Sequence, residues 1–286
     1  MSAEPEPRAS EPPSGDPPTP PAAKPPTSAP LPGTRRIEYL AAVRIVFSHP
    51  DWVKNVLLVG VFSLIPVLSV PFLLGYLFEV TEMLHRRAAA PYPLFEIRRY
   101  DRYVTRGIWA YLVTNIVGTV LGPVLNIVLQ LSVFGIMAAT SAIQSDPGTG
   151  TIIVAIIVTL LAVGLLMFLL VMMVILTPVY LRAGLTQDFA GTFKFRWWGD
   201  FLRRVWLETL LVNLFSLLAS GVLITLGCAV LCVGVLFTGA IASLMAAHLN
   251  WQLYELYLAR GGEPIPLKPL PADVPPVLQP GLPIAG

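Results

Sequence analysis

Residues 107–143, GIWAYLVTNIVGTVLGPVLNIVLQLSVFGIMAATSAI, and 151–181, TIIVAIIVTLLAVGLLMFLLVMMVILTPVYL, decide the fold class. No lysine or arginine lies between Arg106 and Arg182, and none lies between Arg204 and Arg260. Within those two intervals only Asp146, Glu208 and Glu255 carry a formal charge. A charge at the centre of a bilayer costs about 3 kcal/mol on insertion scales, so a chain that crosses lipid clears its spans of charge. The pattern predicts an all-α, polytopic transmembrane helical bundle.

Composition agrees. Hydrophobic residues make up 55% of the chain and charged residues 13%, about half the charge of an ordinary soluble domain. The net charge of +2 is too small to point to nucleic acid, and the lipid bilayer is the expected partner. Cys228 and Cys232 both lie in an apolar run, where burial disfavours the thiolate and no disulfide framework is possible.

The placement of cations sets the topology. Six arginines fall in 81–106 and five basic residues in 182–204, whereas the connector 144–150 and the region around Gly227 have none. Cytoplasmic loops carry the excess of Lys and Arg, which places the first two inside the cell. Four full spans follow, at 107–143, 151–181, 205–226 and 229–257, with the C-terminus cytoplasmic in the cell inner or plasma membrane. A span needs about 20 residues, so 107–143 is too long, and a bend at Gly122-Pro123 with an interfacial extension is expected. Residues 55–81 are interrupted by Pro66, Pro71 and Gly75 and read as a fifth, broken or re-entrant hydrophobic segment with both ends on one side. A plain fifth span with an outside N-terminus is the competing reading.

Two stretches read as interfacial amphipathic helices. One runs over 34–49 from a Thr34 cap to Pro50, with Ile37, Leu40, Val43 and Phe47 at helical spacing. The other covers 193–206, where aromatic rings alternate with cations; Trp197, Trp198, Arg203 and Arg204 are its expected membrane-interface residues. The organisation is therefore a Pro-rich tail over 1–33, a membrane helical domain over 34–260, and a second Pro-rich tail over 261–286. The tails hold twelve and eight prolines and no apolar face, so they read as disordered or polyproline II segments.

Candidate chemistry is sparse. His49, His85 and His248 lie in three different segments, no grouping has metal-ligand spacing, and no cofactor or catalytic residue is expected. His248, Gln252 and Glu255 share one helical face at spacings of four and three. They are candidate polar or substrate-contact residues; the blander reading is hydrogen bonding to neighbouring helices. Asn115 and Asn126 lie about three turns apart on one face and are candidates for lining a cavity. Gly118 and Gly122 form a G-x-x-x-G that permits close helix approach, within one chain or between copies.

The order of W-V-K-N-V-L-L-V-G (52–60), I-P (65–66), G-Y-L-F-E-V (75–80), a charged stretch before Arg106-Gly107, D-F-A-G-T-F-K-F (188–195) and Q-L-Y-E (252–255) resembles an uncharacterised family of prokaryotic integral membrane proteins, a domain of unknown function. The resemblance runs over roughly 35–260 and implies a multi-helix membrane domain in bacteria or archaea, with no activity or ligand to transfer. The expected function is a non-enzymatic membrane scaffold or accessory component, associated with another membrane protein or with itself. The alternative is a small-molecule or lipid transporter built on broken helices.

Overall fold

The computed structural model describes residues 36–65, 69–86, 92–145, 147–230 and 234–268. Among them the chain is helical: α1 (Tyr39–Ser48), α2 (Trp52–Phe62), α3 (Ser69–Arg86), a 3-10 turn at Ile97–Arg99, α4 (Tyr100–Ser145), α5 (Pro147–Thr186), the short α6 (Phe189–Thr192), α7 (Phe195–Ala229) and α8 (Gly234–Ala259). Four stretches are long and apolar enough to cross a membrane: Ile97–Ala138, Val154–Thr186, Phe195–Ala229 and Gly234–Ala259. This is a membrane helical bundle with four such helices and shorter apolar helices beside them, and its apolar surface requires a lipid environment.

α8 is the reference rod against which the first three helices are laid. Glu38, just before α1, hydrogen-bonds Gln252, and a Cβ on Gly60 of α2 would touch Leu236 and Phe237. α1 and α2 thus run antiparallel to α8, together spanning most of its length. α3 returns parallel to it: Leu73 and Gly239 line one cavity, Thr81 reaches the carbonyl of Ala247, and His85 pairs with Glu255. The segment 55–81 is broken once, at the turn over 63–65; Pro71 and Gly75, also expected to interrupt it, lie inside α3. The hairpin is longer than expected, since its first limb begins with α1 at Tyr39.

The stretch over 34–49 forms a helix that also packs on protein. Helix α1 starts at Tyr39 after Glu38, and Thr34, like Pro66, lies outside the described residues. Ala42 and Val46 are fully buried, so one face of α1 packs on protein while Leu40, Arg44 and Phe47 face outward. Small and β-branched side chains on the inner face let the short helix sit close to α8. Pro50 ends it as expected, because proline disfavours a helical residue before it.

α3 and α4 touch backbone to backbone. A Cβ on Gly75 would lie 1.8 Å from the Tyr103 carbonyl oxygen, and one on Gly107 would lie 1.7 Å from that of Pro71. Only glycine fits either position. α4 then runs unbroken for 46 residues with Pro123 inside, about 69 Å at 1.5 Å per residue. The helix stays continuous through Gly122-Pro123, where a bend was expected. Proline removes one backbone hydrogen bond, and the remaining ladder carries the helix through. α5 is similarly continuous over 40 residues from Pro147, with Pro178 inside; residue 146 lies outside the described residues. None of the most apolar window of α4 is buried; beyond its first turns α4 meets α5 and its other faces are open.

α7 contains one break. Val205 has non-helical dihedrals (φ −135°, ψ 25°) inside the helix, separating the aromatic-cationic part 195–204 from the apolar part. The turn to α8 follows Ala229, and Val230 donates its N–H to the Gly227 carbonyl, where the charge pattern placed a connector. Cys228 is exposed, and Cys232 lies outside the described residues.

Candidate functional site

His248, Gln252 and Glu255 come together on one face of α8 as their spacing requires, and all three are buried. Their partners differ. The Gln252 amide pairs with the backbone of Glu38: its Oε1 accepts from the Glu38 N–H at 2.6 Å and its Nε2 donates to the Glu38 carbonyl at 3.1 Å. Its Nε2 also lies 3.0 Å from His248 Nδ1, and the His248 ring rests against Trp251. Glu255 turns to α3, with Oε1 2.6 Å from His85 Nδ1 and accepting from Trp251 Nε1 at 3.2 Å. These groups tie α3 and the start of α1 to α8.

Asn115 and Asn126 stand elsewhere. Both are exposed on α4, where Asn115 Nδ2 donates to the Tyr111 carbonyl at 2.8 Å and Gln130 Nε2 donates to Asn126 Oδ1 at 2.8 Å. Neither shares a hydrogen bond with the α8 group. With Gly118, Thr119 and Gly122 they make a polar and small-residue face at helical spacing. A Cβ on Gly118 or Gly122 would meet nothing within 4 Å.

The densest charge lies in residues the sequence reading assigned only to topology. Glu79 and Glu82 of α3 are almost fully buried. Glu79 pairs with Arg99 at 3.7 Å and Arg102 at 3.3 Å; Glu82 pairs with Arg86 at 2.7 Å and with the buried Arg106. Gln187, in the left-handed region at φ 50°, turns its amide oxygen toward Arg106 at 2.9 and 3.0 Å. Four of the arginines in 81–106 are therefore spent within the fold. The available signal was the pair of acids inside an otherwise apolar run, since a carboxylate there needs a cationic partner. A second missed residue is Asn55, fully buried: its Nδ2 donates to the Tyr76 hydroxyl and its Oδ1 accepts from the Phe95 N–H, both at 2.8 Å. Nearby, Tyr92 donates to the Val46 carbonyl at 2.9 Å, and burial raises its pKa by disfavouring the phenolate.

The expected interface residues divide. Trp197 is 1% exposed and packs among Phe201 and Tyr257, with Arg182 over its ring at 5.1 Å. It is a core residue, because the chain after α8 folds back over it. Trp198 is half-buried and donates to the Thr192 carbonyl. Arg204 forms a two-pronged pair with Asp200 at 2.9 Å. Arg203 alone of the four is exposed. The returning segment corrects the C-terminal boundary too. Gly261 turns at φ +78°, Trp197 Nε1 donates to the Glu263 carbonyl, and the N–H groups of Glu263 and Ile265 donate to the Tyr257 and Tyr254 hydroxyls. Ile265 is buried. The packed domain thus extends to Lys268; the rest of that tail, and residues 1–33, lie outside the described residues.

Two half-open cavities follow α8. One, about 210 Å³, is lined by Val59, Ser63, Leu73, Leu77, Val235 and Gly239 among others. The other, about 240 Å³, is lined by Leu77, Phe78, Thr81, Tyr180, Ser243 and Asn250 among others. No cluster of three His, Cys, Asp or Glu side chains arranged to hold a metal occurs among the described residues.

The family model for a protein of unknown function, DUF4013, matches residues 58–246. The chain belongs to the DUF4013 family. The match begins inside α2 and ends inside α8, so it leaves out Trp52–Leu57 and Gln252–Glu255, which the resemblance had included. Within DUF4013 bounds lie the hairpin turn, the Gly75–Gly107 contact and the buried acids; the Gln252–Glu38 clasp and the C-terminal segment lie outside them. No curated protein and no solved structure matches the chain.

Proposed function

We propose that this DUF4013 protein is a non-enzymatic scaffold or accessory subunit of a membrane assembly, multi-pass in the cell membrane with its cation-rich end and C-terminus cytoplasmic. The carrying observation is the α4 face bearing Asn115, Thr119, Asn126 and Gln130, which points away from α5 into the most apolar zone of the molecule. Amide side chains facing hydrocarbon gain about 1 kcal/mol each from a partner helix, and Gly118 and Gly122 let that helix approach closely. His248, Gln252 and Glu255, by contrast, are committed to holding the bundle together, which supports a structural role for them.

Cysteine substitutions at Gly118 and Asn126, cross-linked in native membranes, test the reading. The expected result is a discrete adduct with a second membrane protein or a second copy. A chain that yields no adduct and purifies as a lone monomer in mild detergent sinks it. The second reading, a small-molecule or lipid permease, draws on the broken α1–α2 and α2–α3 junctions and on the two cavities beside α8. It expects a thiol placed at Ser243 to react with a water-soluble reagent from both sides of the membrane, and reaction from neither side rejects it.

A further inference from the structure

We propose that the groove between α3 and α8 is a binding site for one glycerolipid, its ester carbonyl held by Asn250 and Tyr180 and one acyl chain laid along α8 toward Val235. The two cavities share Leu77 and Ser243, so they adjoin as one groove along α8. From Asn250 to Val235 it follows α8 for about 22 Å at 1.5 Å per residue, longer than one leaflet of a hydrocarbon core about 30 Å thick. Its far part is walled by Val59, Leu73, Leu77, Val235 and Leu236. An apolar slot of this shape, open on one side within a membrane domain, takes a hydrocarbon chain; left empty, its walls would lose their contacts on that side.

The other end differs in chemistry. Thr81 Oγ1 and Ser243 Oγ are hydrogen-bonded to helix carbonyls. Tyr180 and Asn250 line the same cavity; both are half-buried, and among the described residues neither side chain makes a hydrogen bond. A phenol and an amide on the wall of one cavity can both donate to an acceptor seated there. The ester carbonyl of a glycerolipid is such an acceptor, attached to the chain that the rest of the groove fits.

Depth agrees. On α1, Ala42 packs with Leu249, which sets the exposed Arg44 close to the level of Asn250. An exposed arginine belongs at the headgroups. Asn250 then stands where ester groups lie, with the slot leading from it into hydrocarbon. The inference is independent of the scaffold reading, which rests on α4.

The test uses the full chain in maltoside with 1-palmitoyl-2-oleoyl phosphatidylglycerol, bound lipid being counted by native mass spectrometry. The wild type is expected to retain one lipid per chain. An ether-linked analogue, which lacks the ester carbonyls, should be retained about tenfold less well for want of the two hydrogen bonds. Gly239→Leu should abolish retention by filling the slot; a Cβ at Gly239 meets nothing within 4 Å, so the fold accommodates it. Asn250→Leu with Tyr180→Phe should match the ether result. Failure of the wild type to retain lipid, equal retention of ester and ether, or undiminished retention by Gly239→Leu would each overturn the proposal; the ester–ether comparison needs no variant to fold.

Discussion

The cation-rich end of the bundle and the outer length of the α4–α5 hairpin are built from helices of the same chain under opposite rules. At the cation-rich end, side chains are packed and paired within the fold: Glu79 and Glu82 are enclosed by arginines, and Gly75 and Gly107 abut backbone. Along the hairpin, Val120, Ile127, Leu131 and Met137 of α4 and Ile152, Leu160 and Met167 of α5 are exposed. In water such a surface would drive aggregation; in lipid it costs nothing, and packing against neighbours rests on dispersion and hydrogen bonds alone. The difference teaches where this protein tolerates change.

The largest effect is expected from Glu82→Gln. It leaves the buried Arg106 without its counter-charge and should destabilise the folded protein by about 4 kcal/mol; a thermal melt in detergent within a few degrees of wild type would show that this end is wetter than its packing implies. Gly107→Ala comes next, at about 3 kcal/mol, because α3 and α4 must separate to admit the methyl group. Unchanged stability there would mean the helix crossing is not held at backbone contact. Gln252→Leu removes the clasp on Glu38 and should cost about 2 kcal/mol, read as faster proteolysis ahead of α1. The smallest effect belongs to the hairpin: Gly118→Ala should change stability by no more than about 0.5 kcal/mol. A large loss in that variant would erase the contrast, whereas unchanged melting with reduced cross-linking to a partner would sharpen it.

How much of this could be read beforehand differs by residue. His248, Gln252 and Glu255 were placed on one face by spacing alone, because a continuous helix leaves no choice about which residues align. Their partners were not legible: Glu38 and His85 are distant in sequence, and only the antiparallel and parallel runs of α1 and α3 bring them close. Trp197 misled for the same reason. An aromatic ring among cations reads as a headgroup anchor, and nothing local reveals that residues 261–268 return to cover it. The arginines of 81–106 were read for topology by charge counting, while their pairing with Glu79 and Glu82 depends on how α3 crosses α4.

Charge-free runs by themselves determined that this chain is a helical membrane protein, since backbone groups in hydrocarbon must be satisfied within the segment that carries them. They also located the breaks near 50 and 65 and the turn near Gly227, where local chemistry interrupts a helix. Only the tertiary structure decided that α1, α2 and α3 wrap α8, that α4 stays one helix through Pro123, and that one set of polar residues is buried while another faces outward. Those choices rest on contacts between distant residues, whose free energies depend on shape complementarity and charge pairing that no single stretch encodes.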